Sequence, residues 1–216
     1  MSDLTLVIGN KAYSSWSMRP WLVLKHAGLA FAETVIALRQ PDTVARIAEH
    51  SPTGRVPCLV HRGLAIWDSL AICEYVAELA PNVGLWPADP AARAVARSVS
   101  AEMHSGFVSL RTTMPMNLKR DLKGEGMSES TAADIARIEA LWADARTRFG
   151  SPAGGPFLFG AFTIADAMFA PVVTRLETYG VAVSPVSRAY MDAVLALPAL
   201  REWIAAAKDE PWEIEP

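Results

Sequence analysis

A short apolar run that leads almost directly into a helix-start signal is the feature that most constrains this chain. Residues 4–8, Leu-Thr-Leu-Val-Ile, alternate too little for a half-exposed strand and predict a short buried one. Gly9 and Asn10 interrupt the run. Because Pro20 suits only the first turn of a helix, we expect the next helix to begin near Ser17, a good N-cap residue. The chain therefore opens with a strand, a turn and a helix.

Two hydroxyl groups, those of Ser14 and Ser15, lie at the junction between this strand and this helix. The N-terminal end of a helix carries partial positive charge and unpaired N–H groups, so such a junction favours an anion. Serines also cap helices and fill turns without binding anything. The residues alone leave both interpretations open.

The first eighty residues alternate between strand and helix signals. Residues 31–38 predict a second strand and residues 44–49 a short helix. Residues 58–61 and 65–67 predict two short strands whose close spacing makes an antiparallel hairpin. Ser69 then opens a third helix with one apolar face. The order β-α-β-α-β-β-α predicts a mixed sheet with helices packed on it.

A change of character follows this first part. Residues 81–90 contain three prolines and one glycine, which is typical of a linker. Beyond them the chain shows helix signals almost throughout. The sequence therefore predicts a first domain over residues 1–80, a linker over 81–90 and an all-helical domain over 91–216.

Two capping boxes organise the helical part, Thr131 to Asp134 and Thr163 to Asp166. Gly150 is expected to end the helix after the first box. The helix after the second box is apolar nearly all round, so we expect it at the core of its domain. The remaining predictions are a helix over 91–117 with a bend at Ser105-Gly106, a short strand near Val181, and helices over 188–197 and 200–207, separated by Pro198.

Composition excludes several classes of partner. The net charge of -3 and the absence of clustered Lys and Arg argue against nucleic acid. No apolar stretch approaches the roughly 18 residues of a membrane helix, and Met1-Ser2-Asp3 does not begin a secretory signal. Cys58 and Cys73 are too few for a disulfide framework and lack metal-ligand neighbours, so we expect no metal. A cytoplasmic location is the expectation.

Three local motifs together carry a family resemblance. Residues 14–19, Ser-Ser-Trp-Ser-Met-Arg, follow the first strand, Arg-Val-Pro at 55–57 precedes the third strand, and Asp-Ser at 68–69 opens the third helix. Followed by a helical half, they resemble the cytosolic glutathione transferases. The closest class is zeta (maleylacetoacetate isomerase-like), with its signature Ser-Ser-Cys-x-Trp-Arg. This chain has Trp16 and Met18 where that class has Cys and Trp.

The resemblance implies an α/β plus all-α fold, in which a thioredoxin-like domain precedes a helical bundle, and it implies glutathione as co-substrate. In this fold Pro57 is a cis-proline, which leaves the backbone of Val56 free to pair with the cysteinyl part of glutathione. Arg55 belongs to the same motif. Asp68 suits the γ-glutamyl ammonium, and Ser69 at a helix start suits the γ-glutamyl carboxylate.

The resemblance also implies where the reaction takes place. Ser14 would activate the glutathione sulfur, with Ser15 as the second candidate. The electrophile is expected between the domains, against the first helix and the helix over 91–117. Candidate wall residues are Trp16, Met103, His104, Phe107, Arg111, Met114 and Met116. The family generally dimerises, so the resemblance implies a homodimer.

The sequence is compatible with three functions. The first is a transferase, of a family associated with detoxification, that adds the glutathione thiolate to a small, mostly apolar electrophile. The second is a zeta-like isomerase, in which Arg19 and Arg111 would hold two substrate carboxylates. The third is a non-catalytic binding module of the same fold.

Overall fold

The computed structural model describes residues 3–214, so the ends of both predicted domains, residues 1–2 and 215–216, lie outside the described residues. Its first part is a four-stranded sheet in the order β2-β1-β3-β4. Strand β1 pairs in parallel with β2 and antiparallel with β3, and β3 and β4 form the predicted antiparallel hairpin. The thioredoxin-like order β-α-β-α-β-β-α is confirmed. Its elements are β1 Leu4–Gly9, α1 Ser15–His26, β2 Ala32–Ile36, α2 Thr43–Ala48, β3 Cys58–His61, β4 Leu64–Trp67 and α3 Ser69–Leu79.

Helix α1 begins two residues earlier than the sequence predicts. Its N-cap is Ser14, whose Oγ accepts a hydrogen bond from the backbone N–H of Ser17. Pro20 therefore lies in the second turn, where its ring nitrogen cannot donate to the carbonyl of Trp16. The prediction of a start at Ser17 was wrong, because the helix tolerates the loss of this one bond.

The second part is helical, as expected. Its elements are α4 Pro90–Ser105, α5 Val108–Thr113, α6 Glu129–Ala145 with a π-helical turn Arg146–Gly150, α7 Ile164–Thr178, α8 Pro185–Leu195 and α9 Pro198–Asp209. The predicted strand near Val181 does not form. The prediction of a single bent helix over 91–117 is also wrong. Phe107, at φ 60°, separates α4 from α5, and Arg111 donates to the carbonyls of Met103, His104 and Gly106 at the end of α4.

Only one of the two predicted capping boxes exists. Thr163 and Asp166 form the second box, as predicted. Helix α6 instead begins at Glu129 with Ser128 as its N-cap, whose Oγ accepts from the N–H of Thr131 at 3.1 Å. The Asp134 carboxylate serves another element, since it accepts from the backbone N–H of Leu110 in α5 at 3.0 Å.

Helix α7 is the centre of the helical part and joins it to the first part. It is buried over most of its length and packs against both α1 and α4. The segment over 81–90 also joins the two parts, because Leu85 is buried and its carbonyl accepts from the N–H of Ile164. Within residues 3–214, no helix combines the length and apolar character that spanning a membrane requires.

Candidate functional site

A cavity of about 540 Å³ lies between the sheet, the start of α3 and the end of α4. We call it the cis-proline cavity. Its lining residues are Trp16, Thr53, Arg55, Val56, Pro57, Trp67, Asp68, Ser69 and His104. It therefore brings together the five residues that the sequence analysis assigned to glutathione and two of those assigned to the electrophile.

The loop before β3 forms one wall of the cis-proline cavity. The Val56–Pro57 peptide bond is cis, as the resemblance implied. The loop enters β3 at Cys58, which is buried and pairs with Val7 and Trp67 across the sheet. The wall is thus anchored to the two inner strands of the sheet.

The start of α3 forms the opposite wall. Asp68 is the N-cap of α3, and its Oδ1 accepts from the N–H groups of Leu70 and Ala71 at 2.9 and 3.2 Å. Its other oxygen, Oδ2, lies 3.0 Å from Nε2 of His104. Ser69 is buried, and its Oγ has no hydrogen-bond partner among the described residues. This wall therefore offers a carboxylate and an unused hydroxyl at a helix N-terminus.

His104 links this wall to the helical part. It comes from α4, packs edge-on against the Trp16 ring at 5.2 Å between centroids, and contacts Asp68. Burial lowers the pKa of His104; Asp68 counteracts this effect, and Arg19 and Arg111 reinforce it. Its Nδ1 is buried without a partner among the described residues.

Neither Ser14 nor Ser15 lines the cis-proline cavity, although both precede Trp16, which does. Each serine is about 5% exposed. Ser14 Oγ lies 2.7 Å from Ser17 Oγ, to which it donates. Ser15 Oγ accepts from Nη2 of Arg175 at 3.1 Å. The sequence analysis did not single out Arg175, and the available signal was a single basic residue in the mostly apolar helix after Thr163.

Two guanidinium groups enclose the Trp16 ring. Arg19 lies 4.3 Å and Arg111 4.7 Å from its centroid. Arg19 is fully buried, and none of its three guanidinium nitrogens has a hydrogen-bond partner among the described residues. Burial, together with repulsion from Arg111 and Arg175, lowers the pKa of Arg19. A buried cation without a counter-ion is costly, so this cluster favours any anion that reaches it.

The other predicted electrophile residues divide between the core and a second cavity. Met103, Phe107 and Met114 are buried in the hydrophobic core and line neither cavity. Arg111 and Met116 line the second cavity, which has a volume of about 570 Å³. We call it the Tyr13 cavity. Its other lining residues are Tyr13, Leu38, Arg39, Thr112, Thr113, Pro115, Asn117, Leu122, Glu125, Gly126, Tyr179 and Ile214.

Cys58 and Cys73 are both buried, and burial raises the pKa of each thiol. Such thiols behave as small core hydrophobes. Within the described part of the chain, no three His, Cys, Asp or Glu side chains cluster so that they could hold a metal ion.

Comparison with known proteins identifies the same two parts. The family model for the glutathione S-transferase N-terminal domain matches residues 13–79, and the model for the C-terminal domain matches residues 125–206. The probable maleylacetoacetate isomerase of Caenorhabditis elegans is 29% identical over 172 residues, 79% of this chain and 78% of that protein. The maleylacetoacetate isomerase of Rattus norvegicus is 31% identical over 175 residues, 79% of this chain and 77% of that protein.

A solved structure agrees with these relatives. A glutathione transferase homologue from Burkholderia GL BGR1, with bound glutathione, superposes with a TM-score of 0.71 at 26% identity. The match covers 95% of this chain and 98% of that chain. The arrangement of sheet and helices, the two domain matches and the isomerase relatives lead to one conclusion: the chain belongs to the glutathione S-transferase family.

Proposed function

We propose that this protein is a glutathione transferase that binds glutathione in the cis-proline cavity and adds its thiolate to a small electrophile. The observation that carries the proposal is the convergence of Arg55, Val56, Pro57, Asp68 and Ser69 on one cavity. These residues come from two separate loops. Four of them each match one chemical feature of the tripeptide, and the cis Pro57 leaves the backbone of Val56 free to pair with it. The homologue with bound glutathione supports the choice of ligand.

Glutathione would lie across the cis-proline cavity in a defined orientation, with its γ-glutamyl end at α3. The backbone of Val56 pairs with the cysteinyl amide in strand fashion. The γ-glutamyl carboxylate binds the hydroxyl and the backbone N–H of Ser69 at the start of α3, and the γ-glutamyl ammonium binds Asp68. Arg55 then remains for the carboxylate of the glycyl end.

A serine hydroxyl at the start of α1 would stabilise the thiolate. The pKa of a free thiol is about 8.5, and lowering this pKa by about two units corresponds to roughly 2.7 kcal/mol of free energy in favour of the thiolate. A hydrogen bond to a charged group contributes about 1.5–3 kcal/mol, and a helix N-terminus up to about 1–2 kcal/mol more. These two contributions suffice without a general base. Both Ser14 and Ser15 lie at this helix start.

The electrophile would bind where Trp16, His104 and Arg111 lie side by side. Trp16 and His104 line the cis-proline cavity, and Arg111 lines the Tyr13 cavity while it stacks on Trp16. An electrophile at this boundary can reach a thiolate beside Trp16. The proposal includes a cytoplasmic location and a homodimer, and sedimentation of the purified protein tests the homodimer.

A second candidate function is the glutathione-dependent isomerisation of a cis-dicarboxylic acid. Here the thiolate adds to the double bond, rotation follows, and the thiolate leaves again. The specific observation in its favour is the pair Arg19 and Arg111, whose unpartnered guanidinium nitrogens suit substrate carboxylates. The two isomerase relatives support the same reaction class.

Initial rates with two substrates test both functions. We expect the wild-type protein to convert a chromogenic aryl halide with glutathione, or to convert a maleyl keto acid to its trans isomer without net consumption of glutathione. Asp68→Ala is expected to raise the KM for glutathione, because the ammonium loses its carboxylate. Asp144→Ala is the matched control, since that exposed carboxylate pairs with Arg148 on the surface. Glutathione binding without turnover of either substrate class would instead support the non-catalytic binding module.

A further inference from the structure

We infer that Ser15 is the serine that stabilises the glutathione thiolate and that Arg175 positions its hydroxyl. The inference rests on the proposed function and deepens it, because it selects one of the two serines. It also assigns a role to an arginine that comes from α7 in the other half of the chain.

The hydroxyl of Ser14 is already committed to the helix. It accepts from the N–H of Ser17 and donates to Ser17 Oγ at 2.7 Å. Ser17 Oγ in turn accepts from the N–H of Gly9 at 3.1 Å, at the end of β1. If Ser14 turned toward a thiolate, it would break a buried chain of hydrogen bonds that fixes the start of α1.

The hydroxyl of Ser15, by contrast, is not committed as a donor. Its oxygen accepts from Nη2 of Arg175 at 3.1 Å, and the hydroxyl proton has no acceptor among the described residues. A hydroxyl whose oxygen receives a bond from a cation is a stronger donor, because hydrogen bonds in a chain polarise one another. Ser15 is also the first residue of α1, where the helix N-terminus favours negative charge.

Arg175 is held so that it can orient this hydroxyl. It is about 4% exposed, its Nη1 donates to the carbonyl of Pro171 at 3.3 Å, and its Nε has no partner among the described residues. Burial, with repulsion from Arg111, lowers the pKa of Arg175 to about 9. At neutral pH it is therefore still a cation, and α7 fixes the direction of its contact with Ser15.

The chemistry requires no covalent bond to the protein. The glutathione S–H loses its proton to water, and the sulfur keeps the electron pair. Ser15 stays protonated and donates its hydrogen to the thiolate, beside Trp16 at the wall of the cavity. The other ionisable groups around Trp16 are Arg19, Arg111 and His104, with Asp68 in contact with His104, and only the Asp68 carboxylate opposes a thiolate there.

The test is a pH titration of thiolate absorbance with glutathione bound, after calorimetry has shown that each variant binds glutathione. We expect a thiol pKa below 8.5 in the wild type, and Ser15→Ala to raise it by about one to two. Arg175→Met is expected to raise it by a similar amount. The double variant Ser15→Ala/Arg175→Met is expected to titrate close to Ser15→Ala alone, since Arg175 acts through Ser15.

Three controls separate positioning from charge and from folding. Arg19→Met removes a cation of the same cluster that does not contact Ser15, and we expect it to raise the thiol pKa by much less than Arg175→Met. Arg175→Lys and Ser15→Thr, which keep a donor and a hydroxyl respectively, are expected to restore part of the low pKa. These conservative variants also serve if Arg175→Met does not fold.

The inference is overturned if Ser14→Ala raises the thiol pKa and Ser15→Ala does not, or if the effects of Ser15→Ala and Arg175→Met simply add. Equal shifts in Arg19→Met and Arg175→Met would reduce Arg175 to a source of positive potential and would overturn its positioning role. A wild-type protein that does not bind glutathione would refute the proposed function itself, which is a distinct result.

Discussion

The guanidinium of Arg19 is the least satisfied group in the described part of the molecule. It is fully buried, its three nitrogens have no hydrogen-bond partner there, and its visible compensation is the Trp16 ring at 4.3 Å. A cation–π contact contributes about 0.5–2 kcal/mol, whereas an unpaired buried charge costs several kcal/mol. Arg19 therefore lowers the stability of the free protein in exchange for positive potential at the site.

This imbalance gives a prediction about stability. We expect Arg19→Met, a substitution of similar volume, to raise the free energy of unfolding in urea by about 1–3 kcal/mol. The matched control is Arg137→Met, which also removes one positive charge but breaks an exposed pair with Glu102 and should change stability by less than about 1 kcal/mol. A loss of stability in Arg19→Met would mean that Arg19 has a counter-ion in solution.

The contact between Asp68 and His104 gives a second prediction at the same scale. Burial lowers the pKa of His104, and Asp68 counteracts that effect. Asp68→Asn keeps an oxygen that can cap α3 but removes the negative charge, so we expect the pKa of His104 to fall further. NMR titration of the imidazole signals measures this change. His26 is an internal control, because burial alone lowers its pKa, and an unchanged His104 would contradict the contact.

At the scale of elements, local sequence signals were sufficient to predict a helix or strand where one residue type determines the backbone conformation. Strand β3 and the Thr163–Asp166 box occur as predicted. The predictions of helix boundaries fail where a contact with a residue distant in sequence determines where the helix begins or ends. The predicted box at Thr131 does not form, because Ser128 caps α6 and Asp134 binds the N–H of Leu110. The break between α4 and α5 likewise depends on Arg111, which caps α4 from the following helix.

The capping box of α7 gives a prediction with a defined pH dependence. The Asp166 carboxylate is buried and accepts from the N–H groups of Leu158 and Thr163 and from Thr163 Oγ1. Burial raises the pKa of Asp166 from 3.8 to about 6. The folded state thus holds this proton more tightly than the unfolded chain does. The contribution of Asp166 to the free energy of unfolding should fall by about 3 kcal/mol as the pH rises from about 4 to about 6.

Urea unfolding between pH 4 and pH 7 measures this effect. Compared with the wild type, Asp166→Asn should lack this decrease, because the amide does not titrate. Asp144→Asn, which alters an exposed aspartate, should retain it. Parallel pH profiles for the wild type and Asp166→Asn would contradict the raised pKa.

At the scale of the whole molecule, the site could be predicted only where it is local in sequence. Two short motifs supply Arg55, Val56, Pro57, Asp68 and Ser69 to the cis-proline cavity, and the sequence analysis named these five residues as well as Trp16 and His104. Arg175 reaches Ser15 only through the packing of α7 against α1, and Tyr13 lines a separate cavity. The end of the chain also holds the segment before α1, because the Glu210 carboxylate accepts from the N–H groups of Lys11 and Ala12. Such long-range contacts leave no local pattern.

The most direct test of the account is calorimetric titration of the protein with glutathione. We expect saturable binding by the wild type and an affinity about 10- to 100-fold lower in Ser69→Ala, since a buried hydroxyl would lose its bond to a carboxylate. Ser98→Ala, which alters an exposed hydroxyl that bonds the carbonyl of Ala94 in α4, should bind as the wild type does. Absence of binding by the wild type, or wild-type affinity in Ser69→Ala, would contradict the assignment of the cis-proline cavity to glutathione.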